Sequence, residues 1–156
     1  MEKDTKKISY DAALNRAQAL CARQEKCSFD IKQKLHIWGV ADIDTKKVID
    51  HLIKDGFIND ERYAFMFVRD KSKFNKWGPL KIAQALRIKH IPEAIIQHSL
   101  KEIDKSLNEN DLLDLLKKKS KSVKAKSDYD LKVKLIRFAI SRGFDYNQIL
   151  KLVDKV

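Results

Sequence analysis

Apolar residues recur at three- and four-residue spacing along nearly the whole chain. Leu14, Ala17 and Cys21 form one such stripe, Ile31, Leu35 and Trp38 a second, and Val48, Leu52 and Ile53 a third. The rhythm continues through Tyr63, Phe67 and Val68, then Ile82 and Leu86, then Ile96, Leu100 and Ile103. It ends with Leu112, Leu115 and Leu116, with Leu131, Leu135 and Phe138, and with Ile149, Leu150 and Val153. Each stripe places apolar groups on one face of a helix, so nine short amphipathic helices are predicted. Helices of two to four turns are marginal alone, because nucleation costs more than a few added turns return. They must therefore be stabilised by packing against one another.

Boundary residues agree with this division. Gly39, Gly56 and Gly143 each precede an apolar residue, Val40, Phe57 and Phe144. That is the pattern of a helix ended by a left-handed glycine whose successor folds back on the last turn. Asn59 before Asp60 and Glu61, Ser127 three residues before Asp130, and Asp145 three before Gln148 mark helix starts, where a side-chain oxygen caps free amides. Pro79 and Pro92 suit first-turn positions, where a missing N–H is harmless.

Overlaying these markers exposes an internal repeat. Ile31-Leu35-Gly39-Val40 aligns without gaps on Ile82-Leu86-His90-Ile91 and on Leu135-Ala139-Gly143-Phe144, and a further helix follows each. The expected organisation is a tail over 1–9 and three-helix units over 10–58, 59–105 and 106–156, an all-α tandem array that stacks into an elongated, curved body.

Composition narrows the class. Four Gly and two Pro in 156 residues provide too little turn punctuation for a sandwich or barrel. Cys21 and Cys27 are the two cysteines, too few for a disulfide framework or a four-cysteine zinc site. Cys21 reads as a small core residue on the first helix, and Cys27 as part of a turn. The start of the chain lacks a signal-peptide core, and no stretch is apolar for long enough to cross a membrane. A soluble, cytoplasmic, monomeric protein is expected.

Charge points to the partner. Lys and Arg number 33 against 22 Asp and Glu, a net charge of +11 that attracts polyanions. The net charge rises along the chain, from +1 in the first unit to +3 in the second and +6 in the third when the third is counted from Lys105. In the second, Arg69, Lys71, Lys73, Lys76, Lys81, Arg87 and Lys89 are opposed in the sequence by Asp70 alone, with Phe74 and Trp77 interleaved. Such a track suits phosphate contact with base stacking, but the expectation for the two aromatics themselves is that they cover the inter-helix turn as core, leaving the charges to contact phosphate without them. In the third, Lys117, Lys118, Lys119, Lys121, Lys124 and Lys126 follow one another with no acid between them, either as an anion-contacting surface or as a solvated connector.

Catalytic chemistry finds no pattern. His36, His51, His90 and His98 do not form a ligand pair, and no Gly-rich phosphate loop occurs. Asp42 and Asp44, like Asp128 and Asp130, fall at predicted helix starts, where they complement the helix dipole. No enzyme activity, metal or cofactor is expected.

One block is specific. Gly56-Phe57-Ile58-Asn59-Asp60-Glu61-Arg62-Tyr63-Ala64, continued by Phe67-Val68-Arg69, Gly78-Pro79 and Ile82-x-x-x-Leu86-x-x-Lys89, resembles the central signature of the RecX family. Ala22-Arg23-Gln24-Glu25 leading to Ser28, and Lys134-Leu135-x-Arg137-Phe138 leading to Arg142-Gly143-Phe144, flank it in the matching order. The resemblance implies tandem three-helix repeats. It also implies a modulator that lies along the RecA recombinase filament on single-stranded DNA and inhibits filament growth, ATP hydrolysis and strand exchange, and with them the SOS response. Double-stranded DNA is a further partner to expect. Arg137 and Arg142 join the two basic tracks as candidate contacts with RecA or DNA. The alternative is a DNA-binding protein, non-sequence-specific or with helix-turn-helix elements, that acts without RecA. The chain departs from the family in two ways: His90 stands where glycine is usual, so Ile91 and Pro92 are expected to turn the chain, and lysine replaces much of the arginine, giving more salt-sensitive contacts.

Overall fold

Nine helices and no strand occur among residues 8–156, which the computed structural model describes. Of the expected tail, residues 1–7 lie outside the described residues. The helices are α1 (Tyr10–Arg23), α2 (Ser28–Ile37), α3 (Asp42–Lys54), α4 (Asp60–Lys73), α5 (Pro79–Ile88), α6 (Glu93–Leu100), α7 (Lys105–Ser122), α8 (Asp128–Ser141) and α9 (Tyr146–Val153). Three of the starts are capped as the sequence predicts. Asn59 Oδ1 accepts from the Arg62 amide at 2.9 Å, Ser127 Oγ from Asp130 at 3.1 Å and Asp145 Oδ2 from Gln148 at 3.2 Å. Pro79 opens α5, whereas Pro92 sits one step outside α6 and offers its carbonyl to the Ile95 and Ile96 amides.

Four helices end in one way. Gly39, Gly56 and Gly143 adopt φ of +78°, +78° and +92°. The next amide reaches back five residues in each case: Val40 to the Leu35 carbonyl at 3.0 Å, Phe57 to Leu52 at 2.9 Å, and Phe144 to Ala139 at 3.2 Å. This is the left-handed cap that satisfies the last carbonyls of a helix. The fourth case corrects the sequence reading. His90 itself adopts φ +58°, and the Ile91 amide bonds the Leu86 carbonyl at 3.2 Å, so the cap forms without glycine and Ile91–Pro92 do not replace it. A left-handed side-chain-bearing residue costs about 1–2 kcal/mol. Burial of Ile91, 4% exposed, offsets a cost of that size.

The repeat is visible in what these caps bury. Ile31, Leu35 and Val40, then Ile82, Leu86 and Ile91, then Leu135, Ala139 and Phe144 are all buried, so α2, α5 and α8 present the same three positions to their cores. α2 and α3 pack with α1 around Ala13, Ala17, Val48 and Leu52. α8 and α9 pack with α7 around Leu112, Leu116, Ile149 and Val153. α5 packs on α6, burying Ala83 and Ile96. The described chain falls into two compact units, one ending at Tyr63 and one spanning Ala64–Val156. In the first, Asp60 Oδ1 accepts the Ser28 amide at 2.8 Å, so the first turn of α4 caps the start of α2.

The two cysteines differ in burial, with Cys21 packed at the edge of the core as the sequence predicts. Cys21 is only half-buried, while Cys27, expected in an ordinary turn, is fully enclosed just before α2. Burial, followed by the neighbouring Glu25 charge, pushes the Cys21 thiol pKa up. Ile53 lies outside its stripe, 49% exposed, because one residue beyond Leu52 it is turned about 100° away from the buried face of α3.

Candidate functional site

The loop joining α4 to α5 is fixed at both ends by backbone hydrogen bonds. The Phe74 amide continues the α4 ladder to Asp70 at 2.9 Å, the chain reverses at Lys76 with φ +54°, and the Trp77 amide returns to the Lys71 carbonyl at 3.1 Å. The Gly78 amide then donates to the Arg142 carbonyl at 2.7 Å, and that of Leu80 to the Gly143 carbonyl at 3.0 Å. Pro79, between them, has no amide to satisfy. Free amides at the start of α5 thus meet free carbonyls at the end of α8, an arrangement in which the ends of opposite partial charge face each other. Space at the contact admits only glycine. A β-carbon on Gly78 would lie 2.3 Å from the Gly143 oxygen, and one on Gly143 would lie 2.3 Å from Lys81 Cβ.

Two pairs of cations flank this contact. Lys71 and Lys81 place their ammonium groups 4.9 and 4.4 Å from the Trp77 ring centre. Lys119 and Arg142 stand 4.8 and 5.7 Å from the ring of Phe138. An aromatic face attracts a cation and holds it near the surface without neutralising its charge. Trp77 is half-buried and meets Phe67 edge to face at 6.4 Å, so it covers the turn as a core residue would. Phe74 does not: it is 72% exposed, with the Lys73 ammonium 5.4 Å from its ring. The sequence leaves these two aromatics equivalent, and the fold separates them.

The other candidates divide by their partners. Lys76 pairs with Asp111 at 3.2 Å, and Arg69 lies 3.6 Å from Asp70. Arg87 grips Glu93 through two bonds of 2.9 and 2.7 Å, which, with Gln97, hold the Glu93 carboxyl down to about 2. Asp70 is therefore not the sole acid facing the second-unit track, a correction that arises because Asp111 and Glu93 reach it from other helices. Lys89 is the half-buried cap residue of α5.

Lys117, Lys118 and Lys121 are exposed on the last turns of α7, and Arg137 is exposed on α8. Lys124 and Lys126 follow α7 in a connector tied to α8. The Lys134 ammonium donates to the Lys124 carbonyl at 2.7 Å, and the Lys126 amide to Asp130 Oδ2 at 3.0 Å. The Lys126 amide, then Lys134, holds the Asp130 carboxyl below its usual range. Sequence reasoning assigned Lys134 and Phe138 no part in the basic surface. Their helical spacing carried them, but their partners, Lys124 in the connector and Lys119 on α7, were not legible. Among the described residues, no group of three His, Cys, Asp or Glu side chains could hold a metal ion, and no helix is long and apolar enough to cross a membrane.

Comparison with known proteins places this architecture. Residues 59–100 match the family profile described as RecX, second three-helix domain, and residues 109–153 match RecX, third three-helix domain. The regulatory protein RecX of Bacillus mycoides (strain KBAB4) is 35% identical over 103 residues, covering 66% of this chain and 38% of the relative. That of Bacillus cereus (strain AH820) is 31% identical over 126 residues, covering 81% and 47%. The chain thus spans about half the length, or less, of these curated relatives. The crystal structure of RecX from Lactobacillus salivarius superposes with a TM-score of 0.82 at 22% identity, over 94% of this chain and 97% of that one. A second RecX crystal structure gives 0.82 at 19% identity, over 94% and 74%. With two successive domain profiles matched in order over more than half its length, and with the same all-α fold, the chain belongs to the RecX family of regulatory proteins.

Proposed function

We propose that this protein regulates the RecA recombinase by binding its filament on single-stranded DNA and inhibiting filament growth, ATP hydrolysis and strand exchange. Its membership of the RecX family carries this reading. The protein acts in the cytoplasm as a monomer and as a binding protein without catalysis of its own. The three-helix units at 10–58, 59–105 and 106–156 form the working surface. The paired cations Lys71 and Lys81, and Lys119 and Arg142, supply phosphate contacts, joined by the exposed Lys117, Lys118, Lys121 and Arg137. Tandem units suit the task, because contacts on successive repeats span neighbouring filament subunits and add their affinities.

The test is the single-stranded-DNA-dependent ATPase of RecA during titration of this protein. A fall at substoichiometric amounts is expected, since blocking growth at filament ends needs few molecules. A fall only when the protein saturates the DNA would instead indicate competition for phosphate, the behaviour of a DNA-binding protein that acts without RecA.

A further inference from the structure

We propose that Phe74 is a base-stacking residue, so that the chain grips unpaired bases of single-stranded nucleic acid as well as phosphates. The inference rests on the reading that the protein contacts single-stranded DNA, and names how it does so. An exposed aromatic is ordinary by itself. Three features set Phe74 apart. Its ring is 72% exposed, yet its backbone is held by the bond to Asp70 and by the reversal at Lys76 that returns Trp77 to Lys71. The ring is thus presented from an ordered turn, which lowers the entropy lost when a ligand covers it.

Its surroundings are cationic: Lys73 lies at its own ring, and Lys71 and Lys81 at that of Trp77 in the same loop. Of the acids on this side of the fold, Asp70 and Asp111 are engaged by Arg69 and Lys76, while Glu102 and Asp104 line the cavity beside Lys73 and Lys76. An apolar pocket on a protein would satisfy the ring but leave these ammonium groups unanswered. A ligand with π faces strung on a polyanion satisfies both, and single-stranded nucleic acid has that chemistry. Duplex DNA does not, since its bases are already stacked on one another.

The measurement is binding of the full chain, without recombinase, to a short oligothymidylate and to an abasic oligomer of equal length and charge. Phe74→Ala is expected to weaken oligothymidylate binding about 5- to 30-fold while leaving abasic binding and the salt slope unchanged. Phe74→Trp should restore affinity, and its emission should be quenched by oligothymidylate but not by the abasic strand. Equal loss on both ligands, or no loss on either, overturns the proposal. So does failure of the wild-type chain to bind either strand. In that case, substoichiometric inhibition of the RecA ATPase by the same preparation would leave filament regulation standing through protein contacts alone.

Discussion

The Gly78 amide donates to the Arg142 carbonyl at 2.7 Å, a bond that joins the start of α5 to the end of α8 across more than sixty residues of chain. It forms because Gly78 and Gly143 lack side chains, so the two helix ends approach until backbone meets backbone. Cations from both helices are thereby brought together, Lys81 on one side and Arg142 on the other.

Glycine substitutions should separate two effects. Gly39 has a left-handed φ and open space, with nothing within 4 Å of the point a β-carbon would occupy, so Gly39→Ala carries only the backbone term, about 1 kcal/mol. Gly143→Ala adds a collision with Lys81 and should lose about 3 kcal/mol. Gly78→Ala has no backbone term, since nothing disfavours alanine at φ −77°, yet should also lose about 2–3 kcal/mol by colliding with Gly143. Urea unfolding ranks the three. Equal losses at Gly39 and Gly78 would contradict the close approach.

The paired cations should dominate the electrostatic part of DNA binding. Lys71→Gln with Lys81→Gln is expected to lower the slope of log affinity against log salt by about 0.7 per residue on single strands. Lys76→Gln and Arg87→Gln, whose partners Asp111 and Glu93 already engage them, should change it less. Set beside the same number of changes among Lys117, Lys118 and Lys121, titrations at several salt concentrations distinguish the two tracks.

The Arg87–Glu93 pair predicts a pH signature. Glu93 has its carboxyl pKa lowered from 4.5 to about 2 by the two bonds from Arg87 and a third from Gln97. A depressed acid favours the folded state above its unfolded value, and that contribution is lost as pH falls from about 4.5 through about 2. A carboxyl-carbon NMR titration of Glu93 should show the low midpoint. Arg87→Lys, which removes the two-pronged geometry, should move it upward.

The cysteines should differ sharply in reactivity. Burial raises the Cys21 thiol pKa, so near pH 8 it should react with a disulfide reagent more slowly than free cysteine. Cys27, fully enclosed, should react only at the rate of unfolding. Mass spectrometry of protein labelled under native conditions resolves the two sites. Faster labelling of Cys27 than of Cys21 would refute the burial pattern.

What the sequence determined by itself is what depends on residues a few positions apart. The apolar stripes, the caps at Asn59, Ser127 and Asp145, and the left-handed ends at Gly39, Gly56 and Gly143 rest on hydrogen bonds three to five residues long, and the triple repeat follows from them. His90 shows the limit of local preference. A left-handed bias of about 1–2 kcal/mol is outweighed when the cap allows Ile91 to be buried. Only the tertiary structure decided which basic residues keep an unanswered charge, because Asp111 lies 35 residues from Lys76 and no local pattern links them. It likewise decided that Trp77 is covered and Phe74 is not. A loop's aromatics are sorted by the backbone bonds at its ends, and here one of those bonds comes from a helix in another repeat, at Arg142.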